Sequence, residues 1–139
     1  MKFTRRDALA LGLGATAASF LPLRAMAATT DEVIAAFTGG ADIAEGGVSL
    51  TAPEIAENGN TVPVSVDAPG AAAILLIATG NPSPGVATFN FGPLAGAQSA
   101  ATRIRLAGTQ EVIAIAKMPD GSFGKASQTV KVTIGGCGG

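Results

Sequence analysis

The sequence predicts an all-β, immunoglobulin-like β-sandwich of about seven strands, with a short N-terminal helix and a flexible C-terminal glycine-cysteine arm. Three observations carry this. Apolar residues alternate at Val62, Val64 and Val66, and again at Val130, Val132 and Ile134, which is the period of a half-buried strand. Turn clusters punctuate the chain: Glu57-Asn58-Gly59-Asn60, Ala68-Pro69-Gly70, Gly80-Asn81-Pro82-Ser83-Pro84-Gly85 and Pro119-Asp120-Gly121. Composition is apolar-rich (47%) and charge-poor (14%), the reverse of a disordered chain, and 139 residues suffice for one ordinary domain.

Residues 1–27 read as a twin-arginine signal peptide. Lys2, Arg5 and Arg6 give a positive start, Ala8 to Phe20 a mildly apolar run, and Ala25-Met26-Ala27 a small-x-small cleavage site. The run is too short and too weakly hydrophobic for a membrane span, so no stable membrane anchoring is expected. Periplasmic delivery by the route for folded proteins is expected. Removing this segment leaves five basic against nine acidic side chains, a net charge of about −4. Such a surface suits neither nucleic acid nor anionic lipid.

Residues 28–134 form the expected sandwich. Asp31 and Glu32 precede Val33, Ile34 and Phe37, which share one face at helical spacing. Thr29 or Thr30 can cap this helix, and Gly39-Gly40 ends it. Strands are expected at Val48 to Thr51, Val62 to Val66, Ala72 to Thr79, Val86 to Phe91, Ala100 to Leu106, Glu111 to Lys117 and Thr129 to Ile134. Ala72 to Ala78 is continuously apolar, as in a strand covered on both faces. Arg103 and Arg105 lie on one strand face, read as solvated; the sharper reading is a docking surface for an anion or a partner.

Residues 135–139 are the expected arm: Gly135-Gly136-Cys137-Gly138-Gly139. Cys137 is the only cysteine, set between two glycine pairs. Glycine keeps the backbone thin and adaptable. Counted from Ile134, the thiol reaches roughly 10 Å at about 3.3–3.6 Å per residue. The chain has no His, hence no usual general base and no partner for a catalytic cysteine. One cysteine forms no internal disulfide and no cysteine-rich zinc site. Asp31, Asp42, Glu45, Glu54 and Glu57 lack calcium-loop spacing. No metal, cofactor or phosphate loop is indicated. A nucleophile without machinery of its own suits a carrier, activated by whatever enzyme it visits.

The segment Val130-Lys131-Val132-Thr133-Ile134 with the terminal Gly-Gly-Cys-Gly-Gly resembles the SoxY family, the carrier subunits of periplasmic sulfur-oxidation systems. The resemblance extends through Thr51 to Val64, Gly80-Asn81-Pro82, Val86 to Phe89 and Ala101 to Leu106, nearly all of the chain after the signal. Asp67 to Ile77 is shorter and more alanine-rich than the family pattern. The resemblance implies a non-enzymatic carrier that holds thiosulfate-derived intermediates covalently on Cys137, with Gly135, Gly136, Gly138 and Gly139 as its swinging arm. It implies a SoxZ-like β-sandwich subunit as heterodimer partner. It also implies transient contact with a haem-containing thiosulfate-loading enzyme, a sulfate-releasing hydrolase and a sulfur dehydrogenase.

Two alternatives stand beside this. An exported interaction module would use Cys137 for an intermolecular disulfide. A C-terminal diglycine carrier would be activated as a thiocarboxylate, but that needs ATP-dependent adenylation, which an exported protein lacks, and a β-grasp pattern. Prenylation is excluded, since only two residues follow Cys137.

Overall fold

The computed structural model describes residues 28–136. Among these residues one helix, α1 (Thr30–Thr38), precedes nine strands: β1 (Ile43–Glu45), β2 (Ser49–Thr51), β3 (Ile55–Ala56), β4 (Val62–Asp67), β5 (Ala73–Ala78), β6 (Gly85–Asn90), β7 (Ser99–Ile104), β8 (Gln110–Lys117) and β9 (Phe123–Val132). They make two sheets. The larger runs β1-β9-β8-β5-β6, with β3 also paired to β9, and the smaller runs β2-β4-β7. This is the expected β-sandwich, and the signal segment expected over 1–27 lies outside the described residues.

The alternating valines set the smaller sheet. Val62, Val64 and Val66 of β4 are buried, while Pro63 and Asp67 are exposed. They meet Ile74, Leu76, Val112, Ala114 and Val130 from the larger sheet in one core. Each buried valine contributes on the order of 1.5–3 kcal/mol, and a one-residue register slip would turn all three outward.

The apolar run of β5 is buried at every position. Its two faces do different work. Ile74, Leu76 and Ala78 join the inter-sheet core, while Leu75 and Ile77 face a second cluster with Ile115 and Phe123. Helix α1 lays Val33, Ile34 and Phe37 over that cluster. The Phe37 and Phe123 rings meet edge to face at 5.9 Å. The helix is fixed at its start by a capping box. The Thr29 amide donates to Glu32 Oε2 (2.7 Å), and the Glu32 amide donates to Thr29 Oγ1 (3.3 Å). It ends at Gly39 with φ of 65°, a left-handed turn that suits glycine.

Two strands escape the sequence reading. β1 and β3 each pair in parallel with β9, β1 against its first residues and β3 against its last. β9 itself begins at Phe123 and ends at Val132, earlier at both ends than expected. Residues 133–136 follow it in another conformation, which positions the candidate site.

Candidate functional site

After β9 the chain stays attached to the sandwich. The Thr133 amide donates to the Ala56 carbonyl (3.1 Å), and its hydroxyl donates to the Glu57 carbonyl (3.1 Å). The Gly59 amide donates to the Ile134 carbonyl (2.8 Å). The Gly136 amide then donates to the Leu106 carbonyl (2.8 Å), and the Leu106 amide donates to the Gly59 carbonyl (2.8 Å). Three backbone segments, around Gly59, Leu106 and Gly136, thus interlock through hydrogen bonds.

The closeness of these backbones needs glycine. A Cβ on Gly59 would lie 2.5 Å from the Leu106 oxygen and 2.7 Å from the Gly136 nitrogen. A Cβ on Gly136 would lie 2.9 Å from the Gly59 oxygen and 3.0 Å from the Leu106 oxygen, and one on Gly135 would run into the Ala107 carbonyl. Two residues of the arm expected over 135–139 are described. Gly135 and Gly136 are docked, whereas Cys137, Gly138 and Gly139 lie outside the described residues. The chain is held as far as Gly136, one residue before the thiol.

Beneath Leu106 lies a polar network that sequence reasoning missed. Asn81 and Gln110 are both buried. Asn81 Nδ2 donates to the Arg105 carbonyl (2.8 Å), and its Oδ1 accepts from the Ala107 amide (2.9 Å). The same Oδ1 accepts from Gln110 Nε2 (2.9 Å), which also donates to the Gly108 carbonyl (3.0 Å). Gln110 Oε1 accepts from the Gly80 amide (2.9 Å). Both side-chain amides are satisfied, as burial demands. Asn81 sits in a cluster that reads only as a turn, and nothing in the sequence pairs it with Gln110.

The remaining candidates do not join this site. Arg103 and Arg105 are exposed on either side of buried Ile104, and Arg103 Nη1 donates weakly to Thr61 Oγ1 (3.5 Å). Arg103 also borders a groove on the outer face of the smaller sheet, with Pro63, Ser65 and Ala101. Among the scattered acids, Glu45 pairs with Lys125 (3.2 Å) across β1 and β9. Among the described residues no three metal-ligating side chains converge.

The family model for sulfur oxidation protein SoxY matches residues 34–137, a span that closes on the cysteine. The solved structure of the sulfur carrier protein SoxY from Chlorobium limicola f thiosulfatophilum is 38% identical, with a TM-score of 0.66 over 75% of this chain and 96% of that one. Superoxide reductase (neelaredoxin) from Ignicoccus hospitalis is 17% identical at a TM-score of 0.55, over 81% of this chain and 99% of that one. A putative superoxide reductase from Thermotoga maritima is also 17% identical, at 0.51 over 81% and 98%. At that identity the two reductases share the sandwich and nothing more. A search of curated proteins finds no match. A match over most of the sandwich and up to the lone thiol, with 38% identity to a solved carrier, places the chain in the SoxY family of sulfur-oxidation carrier proteins.

Proposed function

We propose that the protein carries thiosulfate-derived sulfur covalently on Cys137 and presents it to partner enzymes in the periplasm. The observation that carries this reading is the position of the thiol. It is the only cysteine, and it follows directly on a chain docked to the sandwich as far as Gly136. The chain has no His to act as a base, so activation comes from the enzymes it visits.

In the loading step the Cys137 thiolate joins the sulfane sulfur of thiosulfate. The new sulfur–sulfur bond releases two electrons to a haem enzyme, and the thiol proton goes to solvent. Water then cleaves the outer sulfur–sulfur bond and releases sulfate, leaving a persulfide on Cys137. A dehydrogenase takes up the electrons as that sulfur is oxidised to the sulfonate with oxygen from water, and a last hydrolysis cleaves its bond to the Cys137 sulfur, releasing a second sulfate and restoring the thiol. Every oxidation is done by a partner; this chain contributes a nucleophile and a place to hold the product.

The same reading assigns residues 1–27 as the export signal and a small SoxZ-like β-sandwich subunit as the stable partner. Ile55, Leu94 and Ile134 are large apolar side chains left exposed, and among the described residues the strands at both rims of the smaller sheet have an unpaired edge, a liability unless covered. Cys137→Ser tests the role. It should leave folding and partner binding intact and abolish thiosulfate-dependent turnover by the reconstituted system. Normal turnover with serine would remove the carrier reading.

A further inference from the structure

We propose that Asn81, braced by Gln110, is a positioning residue for Cys137. Asn81 clamps the backbone on both sides of Leu106: its side-chain amide donates to the Arg105 carbonyl and accepts from the Ala107 amide. Leu106 in turn accepts the Gly136 amide and donates to Gly59. One buried side chain thereby fixes the peptide group on which the last docked residue before the thiol is hung. Gln110 locks the clamp by occupying the same Asn81 oxygen and tying it to Gly80 and Gly108.

The arrangement is built for more than holding a loop. The side chains of Asn81 and Gln110 together make five hydrogen bonds, one to each other and four to backbone groups in 105–108 or at Gly80. Of the carbonyls in 105–108, those of Leu106 and Ala107 are the ones against which Gly136 and Gly135 lie. A chain seated there is already ordered as far as Gly136 when it meets an enzyme, whereas releasing the seat adds two residues of backbone to be ordered at each encounter.

The functional half of this proposal rests on the carrier reading; the structural half does not. The test uses the full chain after signal removal, with Asn81→Ala and, approaching the same seat from the other side, Gly136→Ala. In Asn81→Ala, exchange of the Gly136 amide should quicken about tenfold, the effect of losing a buried hydrogen-bonding partner, with β8 amides unchanged. A nitroxide on Cys137 should tumble faster in both variants than in the parent. In enzymatic loading with thiosulfate, KM for either variant should rise about tenfold while kcat stays within twofold, because the chemistry at sulfur is untouched.

Gly136→Ala keeps the test decisive if Asn81→Ala folds poorly. Unchanged exchange and unchanged nitroxide spectra would overturn the clamp. A freed Gly136 with unaltered KM would overturn the positioning role while leaving the seat. Turnover by Cys137→Ser would instead sink the carrier reading and leave the exchange and nitroxide results standing.

Discussion

Gly59→Ala probes the tightest point near the terminus. The added methyl would lie 2.5 Å from the Leu106 oxygen, 2.7 Å from the Gly136 nitrogen and 2.9 Å from Val132 Cγ1. None of these is a tolerable separation for carbon, so something must move. One route displaces Leu106, which is fully buried, and overpacking of that kind costs on the order of 1–3 kcal/mol. The other releases residues 134–136. That loses the Gly136–Leu106 and Gly59–Ile134 bonds at about 1 kcal/mol each, discounted because the freed groups sit where water can reach them. Release clears only the Gly136 nitrogen, so the Leu106 backbone must shift as well. The expected result is a loss of about 2 kcal/mol, a fall in Tm of roughly 10 °C, and loss of exchange protection confined to Gly59, Leu106, Gly136 and their neighbours. Calorimetry with residue-resolved hydrogen exchange measures both. An unchanged Tm with Gly136 still protected would refute the close approach. A large uniform loss of protection would show that the core, not the terminus, yields.

Phe37→Ala should cost about 2 kcal/mol, since the half-buried ring covers the outer face of β5 against Phe123. Chemical denaturation checks it, and a cost below about 0.5 kcal/mol would mean that α1 is not docked in solution. Changing Arg5 and Arg6 together to Lys should block export of the chain and of any leaderless partner that crosses with it; a partner reaching the periplasm normally would refute co-export. The chain expressed alone after signal removal should self-associate or be poorly soluble, and a well-behaved monomer by size measurement would count against an obligatory partner.

The sandwich was legible where side-chain chemistry alternates. Val62, Val64 and Val66 announce β4, and the unbroken apolar run of β5 announces a strand covered on both faces, which prove to be helix on one side and sheet on the other. β1 and β3 were not legible. Ile43-Ala44-Glu45 and Ile55-Ala56 are too short to show a period, and each exists because β9 offers it an edge far along the chain. The first half of β9 has the same difficulty: Gly124 and Ala126 are tertiary choices without strand propensity. At the terminus, glycine is ambiguous. It signals mobility or close approach with the same letter, and only the placement of Gly59 and Ala107 shows that Gly135 and Gly136 serve the second. Asn81 and Gln110 are 29 residues apart, and their shared network has no sequence signature.

The most direct measurement is intact and peptide mass of the protein isolated during thiosulfate turnover, with and without reductant. A carrier role requires reductant-labile sulfur adducts confined to the terminal peptide bearing Cys137, appearing and disappearing with turnover, and absent from Cys137→Ser. Turnover with no adduct on that peptide, or with a disulfide-linked second chain as the sole modification of Cys137, would contradict it.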